Sequence, residues 1–535
     1  MEASCEWEWN SAILKAVVLK QLYYLVAFVA LVNVPAIQAD PVAIVCARCH
    51  PREVAAYART GMARSLFAVK DAPAVPDGVI DHAVSGTKFT VRTTAQGMVQ
   101  SAQWKGEFSE QPVAFVIGSG NHAVGYLIQM GDHIFQSPLS YYTSRRLWDV
   151  APGYENNPHP DFSRPISLEC LLCHSDRPLP VAQTLNRYQP AVFSTLAISC
   201  DRCHGSAEQH LKKPVPGSIL NPAKLSGAER DSVCEQCHLK GEARILNPGK
   251  QLTDFHPGQR TEEVFTTYVA ARPDGKEIKV VSHFEQLKRS VCARQSAPGK
   301  LWCGTCHNPH DKPAGDVAAY YRQRCLSCHA ATLESAHAAP GRDCVGCHMP
   351  HQHTADGSHT AFTNHRIARD PSKEEPNDQP ASIVAWRQPA DISLQRRDLA
   401  LAFATLGEER HAPDYLGRAY QMLTLLERDF PNDPQMLEKL GMLALTAHRS
   451  EEALHFLERV ANIEPNSAEA QTNLAAALIR LNRQPEAVQH LQKALALDPL
   501  LRAPVNLLAR LYQQQGDSAK ANELLATYRS AMGIK

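Results

Sequence analysis

The chain has 535 residues with 55 Lys+Arg against 55 Asp+Glu, enough for two or three domains at roughly 100 to 200 residues each. The balanced charge gives it no overall attraction to nucleic acid or to an anionic membrane surface. Of its 16 cysteines, Cys5 and Cys292 stand apart and the others fall in one recurring pattern, so an ordinary disulfide framework is excluded as their main use.

At the N-terminus, Lys15 and Lys20 precede the apolar run Leu22 to Val32, followed by Pro35-Ala36-Ile37-Gln38-Ala39. That run is short for a membrane span and suits the hydrophobic region of a secretory signal. Residues 1–39 are expected to be a signal peptide cleaved after Ala39, placing the mature protein in the periplasm or otherwise outside the cytoplasm. An uncleaved anchor is the alternative, and the one expected route to a membrane.

The recurring pattern begins with Cys46-Ala-Arg-Cys49-His50. It returns as Cys170-Leu-Leu-Cys173-His174, Cys200-Asp-Arg-Cys203-His204, Cys234-Glu-Gln-Cys237-His238, Cys303-Gly-Thr-Cys306-His307, Cys325-Leu-Ser-Cys328-His329 and Cys344-Val-Gly-Cys347-His348. Shuffling this composition would yield roughly 0.02 such motifs, and the pattern is the attachment signature of c-type haem. Two thiols on one short turn can each form a thioether to the porphyrin, and the adjoining imidazole takes an axial position on the iron. Structural zinc would pair two such knuckles per metal and gives no reason for a His after every second Cys. Seven covalent haem c groups are therefore expected, with His50, His174, His204, His238, His307, His329 and His348 as proximal ligands.

Between the first two motifs the pattern changes. Lys88 to Thr94 and Met98 to Trp104 alternate about Gly97 and predict a β-hairpin, with further short strands at Val113–Ile117, Tyr126–Met130 and His133–Phe135. A β-containing insertion over 88–165 is expected within a haem domain of residues 40–369, sparse in regular structure. Residues 370–397, rich in Pro and charge, read as a linker.

The remainder repeats every 34 residues: Gly407, Gly441, Ala475 and Ala509; Ala419, Ala453, Ala487 and Ala521; Pro431, Pro465 and Pro499. Small residues in phase, with a proline closing each unit, resemble the tetratricopeptide repeat. Four helix hairpins follow, at 400–433, 434–467, 468–501 and 502–535, within a domain of 398–535. The fold expected overall is mainly α: a multihaem domain with a small β insertion, then an α-solenoid.

The ending Cys303 to His310, Cys344 to Pro350 and His359 to His365 resembles the multihaem cytochromes c of the cytochrome c-554 type, over about residues 41–369. The resemblance implies an exported bis-histidine electron-transfer protein. His210, His310, His359 and His365 match positions that supply distal ligands in that family, and His122 and His283 are further candidates. Where family members carry a distal histidine after the first motif this chain has Met62, a thioether able to ligate the His50 haem. An electron carrier with no catalytic residue is expected, served by redox partner proteins and by a protein docked on the concave face of the repeats. The alternatives are a multihaem oxidoreductase acting on a small nitrogen or sulfur compound, as nitrite reductases and hydroxylamine oxidoreductases do, and a redox-sensing repeat scaffold.

Overall fold

The computed structural model describes residues 41–271, 278–297, 299–329, 343–370 and 382–535. The expected signal peptide, Cys5 and His337 lie outside the described residues. Residues Val42–Lys535 cluster as one unit.

The chain is 43% helical and 20% strand, which corrects the expectation of a mainly α protein with sparse regular structure. Nine strands form one antiparallel sheet: β1 (Leu66–Ala68), β2 (Gly78–His82), β3 (Thr87–Thr94), β4 (Gly97–Trp104), β5 (Glu107–Ile117), β6 (Val124–Met130), β7 (His133–Tyr142), β8 (Leu147–Val150) and β9 (Arg164–Pro165). The order runs β2 to β8 in sequence, with β1 added to β5 and β9 to β7. The hairpin read around Gly97 is β3–β4, in the register Thr94 to Gly97 and Thr93 to Met98. What the sequence reading lacked was the near closure of the sheet, which rests on Trp148 of β8. Its Nε1 donates to the Pro76 carbonyl at 2.8 Å. Its ring lies so close to Gly78 that a Cβ there would sit 2.4 Å from Trp148 Cδ1.

Closure gives the sheet an inside, filled by Phe89, Val91, Tyr126, Ile128, Phe135, Leu139 and Tyr154. Alternation sends the neighbouring side chains the other way. Leu127 and Ile134, both 0% exposed, pack outward with Leu66, Phe115, Ile166, Tyr188 and Leu171. Leu171 belongs to the helix Leu168–His174, capped by the Ser167 side chain, which accepts from the Cys170 N–H. The outer face of the sheet thus seats the second Cys-x-x-Cys-His motif.

Past the motifs, strands Ala243–Leu246, Phe265–Ala270 and Ile383–Ala385 form a second antiparallel sheet. The last of these, and the start of the helix Ile392–Glu409, fall within the segment read as a linker. Eight helices follow in four hairpins: Ile392–Glu409 with Pro413–Leu426, Pro434–Thr446 with Ser450–Ile463, Ala468–Arg480 with Gln484–Leu497, and Arg502–Gln514 with Ser518–Ala531. Ala419, Ala453, Ala487 and Ala521 are each 0% exposed, because helices of a hairpin approach closely where a side chain is a single methyl. At Gly441 the approach is closer, and a Cβ would meet Leu457 at 2.6 Å.

The first hairpin and the opening helix of the second share a core with the three-stranded sheet, joining Ile245, Tyr268 and Ile383 to Leu401, Leu406 and Leu437. A buried ionic cluster lies beside it. Arg397, 1% exposed, pairs with Asp433, donates to Asp398 at 2.6 Å and donates to the Leu246 carbonyl at 2.8 Å. Thr266 donates to Asp398 at 2.7 Å. At the far end of the solenoid, His133 Nε2 of β7 meets Asp498 at 2.9 Å. Arg502 reaches Asp161 at 2.9 Å, and Lys535 exchanges backbone hydrogen bonds of 3.1 and 2.8 Å with Phe108 of β5.

Gly441→Val is expected to lower stability by about 1–3 kcal/mol through overpacking against Leu457. Gly417→Ala, in an exposed helix interior with nothing within 4 Å of the new Cβ, should raise it by roughly 0.5–1 kcal/mol; chemical denaturation separates the two. Burial pushes Asp398 up to about 6, with Arg397 pulling the other way. A carboxyl raised on folding contributes stability that is complete below its unfolded value and lost as pH rises through the folded one. Asp398→Asn should therefore abolish a decline on the order of 2–3 kcal/mol between about pH 4 and about pH 7 in urea titrations.

Candidate functional site

One cavity of about 2400 Å³ runs through the region between the nine-stranded sheet and the motif helices. Its walls are mostly apolar and include cysteines or histidines of the six motifs from Cys170 to His348, together with Met62, His122, His283 and His365. A single small-molecule pocket holds roughly 300–1,000 Å³, so this space is shaped for more than one group. Short helices present the motifs: Gly227–His238 is started by a Ser226/Glu229 capping box, and Cys344–His348 by Asp343, which accepts from the Val345 N–H at 3.0 Å. None of the fourteen motif cysteines, nor Cys292, is in a disulfide.

Histidines distant in sequence are brought face to face. The ring centres of His50 and His210 are 6.3 Å apart with planes 26° from parallel, those of His204 and His310 5.8 Å and 8°, and those of His307 and His365 6.2 Å and 29°. Two imidazoles on opposite sides of one metal ion, each bonded at roughly 2.0–2.1 Å, place their ring centres about 6.4 Å apart. His238 and His283 stand edge to face at 5.2 Å, nearer than two such bonds require.

The second ring nitrogens are tied down in the manner of metal-binding histidines, whose far N–H is held by a carbonyl or hydroxyl. His204 Nδ1 lies 2.8 Å from the Leu220 carbonyl, His210 Nδ1 2.8 Å from Ser218 Oγ, His365 Nδ1 2.9 Å from the Thr363 carbonyl and His348 Nδ1 2.9 Å from the Ala368 carbonyl. Tyr321 Oη lies 3.2 Å from His307 Nδ1. Each contact restrains the orientation of its ring. Burial lowers His174, His238, His307 and His310 below the ordinary imidazole range. It takes His365 to about 4 and His283 to about 3, so these rings are neutral at physiological pH and keep a lone pair for bonding.

Other candidates are placed differently. The ring opposite His50 belongs to His210, while Met62 lies on the cavity wall. His122 packs against Phe362 at 4.2 Å. His359 Nε2 is engaged by Asp149 at 2.7 Å, and its ring stands edge-on to Tyr142. His329 closes the helix Val317–His329 and lines the cavity. Cys292 lies on the cavity wall as well.

The expectation of seven covalent haem c groups is corrected. Among the described residues no group of three or more His, Cys, Asp or Glu is assembled to hold a metal ion, and the seven-haem complement is not supported. Motif spacing counts possible attachment points, whereas an occupied iron also needs a geometry that spacing does not encode.

Residues outside the motifs that shape this site include Trp386 and Arg387. Arg387 forms an ion pair with Glu235, the first free position of the fourth motif, with Nη2 at 2.6 Å, and Trp386 Nε1 donates to the same carboxylate at 2.8 Å. Glu235 is 1% exposed, and burial raises it against the pull of Arg387. No sequence signal links residue 235 to 387; the strand Ile383–Ala385 brings them together.

The tetratricopeptide repeat family matches residues 444–500. No curated protein matches the chain. Among solved structures, "MamA RS-1 ArsTM double mutant" is 21% identical over 26% of this chain and 75% of its own, with a TM-score of 0.24. "MamA 41-end from Desulfovibrio magneticus RS-1" is 20% identical over 25% of this chain and 75% of its own, with a TM-score of 0.23. "MamA AMB-1 P212121" is 24% identical over 26% and 75%, with a TM-score of 0.23.

Arg387→Met strands the Glu235 charge and is expected to cost about 3–5 kcal/mol. Adding Glu235→Gln should restore most of that loss, so a double-mutant cycle in denaturant reads a coupling that a mere surface pair would lack.

Proposed function

We propose that this chain is an exported electron-transfer protein of the c-type cytochrome kind, coupled to a protein-binding solenoid. The repeats at 444–500 carry the coarser part, since repeat hairpins stack into an extended surface for binding proteins. The redox part rests on one observation: three pairs of imidazoles at about the separation that a shared metal demands, each beside a Cys-x-x-Cys turn. The proposal concerns these three positions and not the corrected complement of seven.

In this reading His50 with His210, His204 with His310, and His307 with His365 would hold an iron porphyrin. Cys46 and Cys49, Cys200 and Cys203, and Cys303 and Cys306 would tether it by thioether bonds. Such a group would supply one-electron redox chemistry. The Leu220 and Thr363 carbonyls, Ser218 and Tyr321 set the tautomers and orientation of the rings. The resemblance to exported multihaem cytochromes supplies the expectation that maturation and function lie outside the cytoplasm.

Pyridine haemochrome absorbance with the intact mass of protein from a host competent in cytochrome c maturation tests the reading. Three covalent haems, low-spin when oxidised, are expected. Colourless protein of apo mass from such a host would falsify it. Replacing His210 by Ala should turn one haem high-spin and able to bind carbon monoxide, while the remaining haems keep low-spin spectra.

A further inference from the structure

The protein is neutral overall, with 55 basic and 55 acidic side chains, but the surface around the His50–His210 pair is not. Seven consecutive residues, Leu211 to Gly217, are exposed, in the sequence Leu-Lys-Lys-Pro-Val-Pro-Gly. Leu211 is 56% and Val215 43% exposed, an unusual display of large aliphatics beside two lysines. Beneath them is a cleft of about 470 Å³, lined by Pro214, Val215, Pro216, Ile219, Leu220 and His210 itself. Lys224 lines it, Lys212 and Lys213 are exposed immediately before Pro214, and Arg48 and Arg52 are exposed within two residues of His50, whose ring centre lies 6.3 Å from that of His210. The same stretches carry the carboxylates Glu53 and Glu208, the latter paired with Lys212 at 2.6 Å on the open surface.

An apolar centre with a charged rim is the anatomy of a transient protein interface. A local field of one sign on a neutral protein steers an oppositely charged partner and orients it on arrival. The two prolines restrict φ, so the loop is held in shape before binding. His50 is itself exposed, so a group it holds would lie near this face.

We propose that the 211–217 loop and the cationic rim around His50 and His210 form the docking surface for a small acidic electron-transfer protein, whose carboxylates ring an exposed apolar edge of its own cofactor. The proposal rests on the electron-transfer reading above. It concerns a surface on the motif region, distinct from the repeats.

The test uses the full-length protein carrying its haems and reduced acidic flavodoxin as the probe, mixed in stopped flow over a range of ionic strengths. Methyl viologen radical, a small cation that needs no docking, serves as the reference reductant. The wild-type rate with flavodoxin should fall steeply with salt. Lys212→Glu with Lys213→Glu should slow it about tenfold or more at low salt and flatten the salt dependence. Leu211→Asp should slow it with the salt dependence kept, and the viologen rate should be unchanged in every variant. Equal slowing by the charge-matched control Lys88→Glu with Lys493→Glu would overturn the proposal by tracing the effect to net charge. A wild-type rate in the Lys212/Lys213 variant would overturn it too. If viologen fails to reduce any variant, the electron-transfer reading itself falls and the docking surface goes with it; viologen reduction with flavodoxin indifferent to these residues removes the docking surface alone.

Discussion

The arrangement of the molecule depends on a guanidinium with almost no access to water. Arg397 satisfies its donors with two carboxylates, the Leu246 carbonyl and Gln435, and these partners lie on three elements: the edge of the three-stranded sheet, the first repeat helix and the start of the second repeat. A buried charge tolerates few alternatives, because any rearrangement that removes one partner leaves an uncompensated ion. The cluster therefore fixes the register between the motif region and the solenoid more sharply than the surrounding apolar contacts do. Thr266 extends the same network into the sheet. Through the strand Ile383–Ala385 that sheet continues to Trp386 and Arg387, which hold Glu235 inside the fourth motif. Packing between repeats and sheet is thus linked by bonded neighbours to the wall of the large cavity.

The sequence made some of this plain. A 34-residue phase over three sets of positions located the helix hairpins, because close helix contact leaves a small residue at a fixed interval, as the fully buried Ala419, Ala453, Ala487 and Ala521 demonstrate. Alternation found the β3–β4 hairpin, whose pairing is local. The closed sheet was hidden because its closure is a non-local event: Trp148 reaches the Pro76 carbonyl and a glycine at 78, and β1, β2, β8 and β9 are too short to carry a period. The strand at 383–385 looked like linker because three residues cannot announce a partner at 265–270.

The candidate site divides in the same way. The Cys-x-x-Cys-His turns are local and could be read directly. Which ring opposes which could not, since His210 follows His204 by six residues and yet lies opposite His50, while His204 lies opposite His310. The groups that hold the rings were more deeply hidden, because the carbonyls of Leu220, Thr363 and Ala368 are backbone atoms that any residue would supply. The resemblance likewise offered His359 as a ligand, and the contact of its Nε2 with Asp149 at 2.7 Å was not visible in the sequence.

A helical solenoid fastened at one end can flex like a spring and adapt its curvature to whatever it grips. Here both ends are moored, one by the Arg397 cluster and the other by Asp498, Arg502 and the backbone pairing of Lys535 with Phe108. Such a clasp cannot unwind to meet a cargo of a different radius, so it must select by fit. Less conformational freedom is surrendered on binding, and the gain in affinity comes with a narrower range of acceptable shapes.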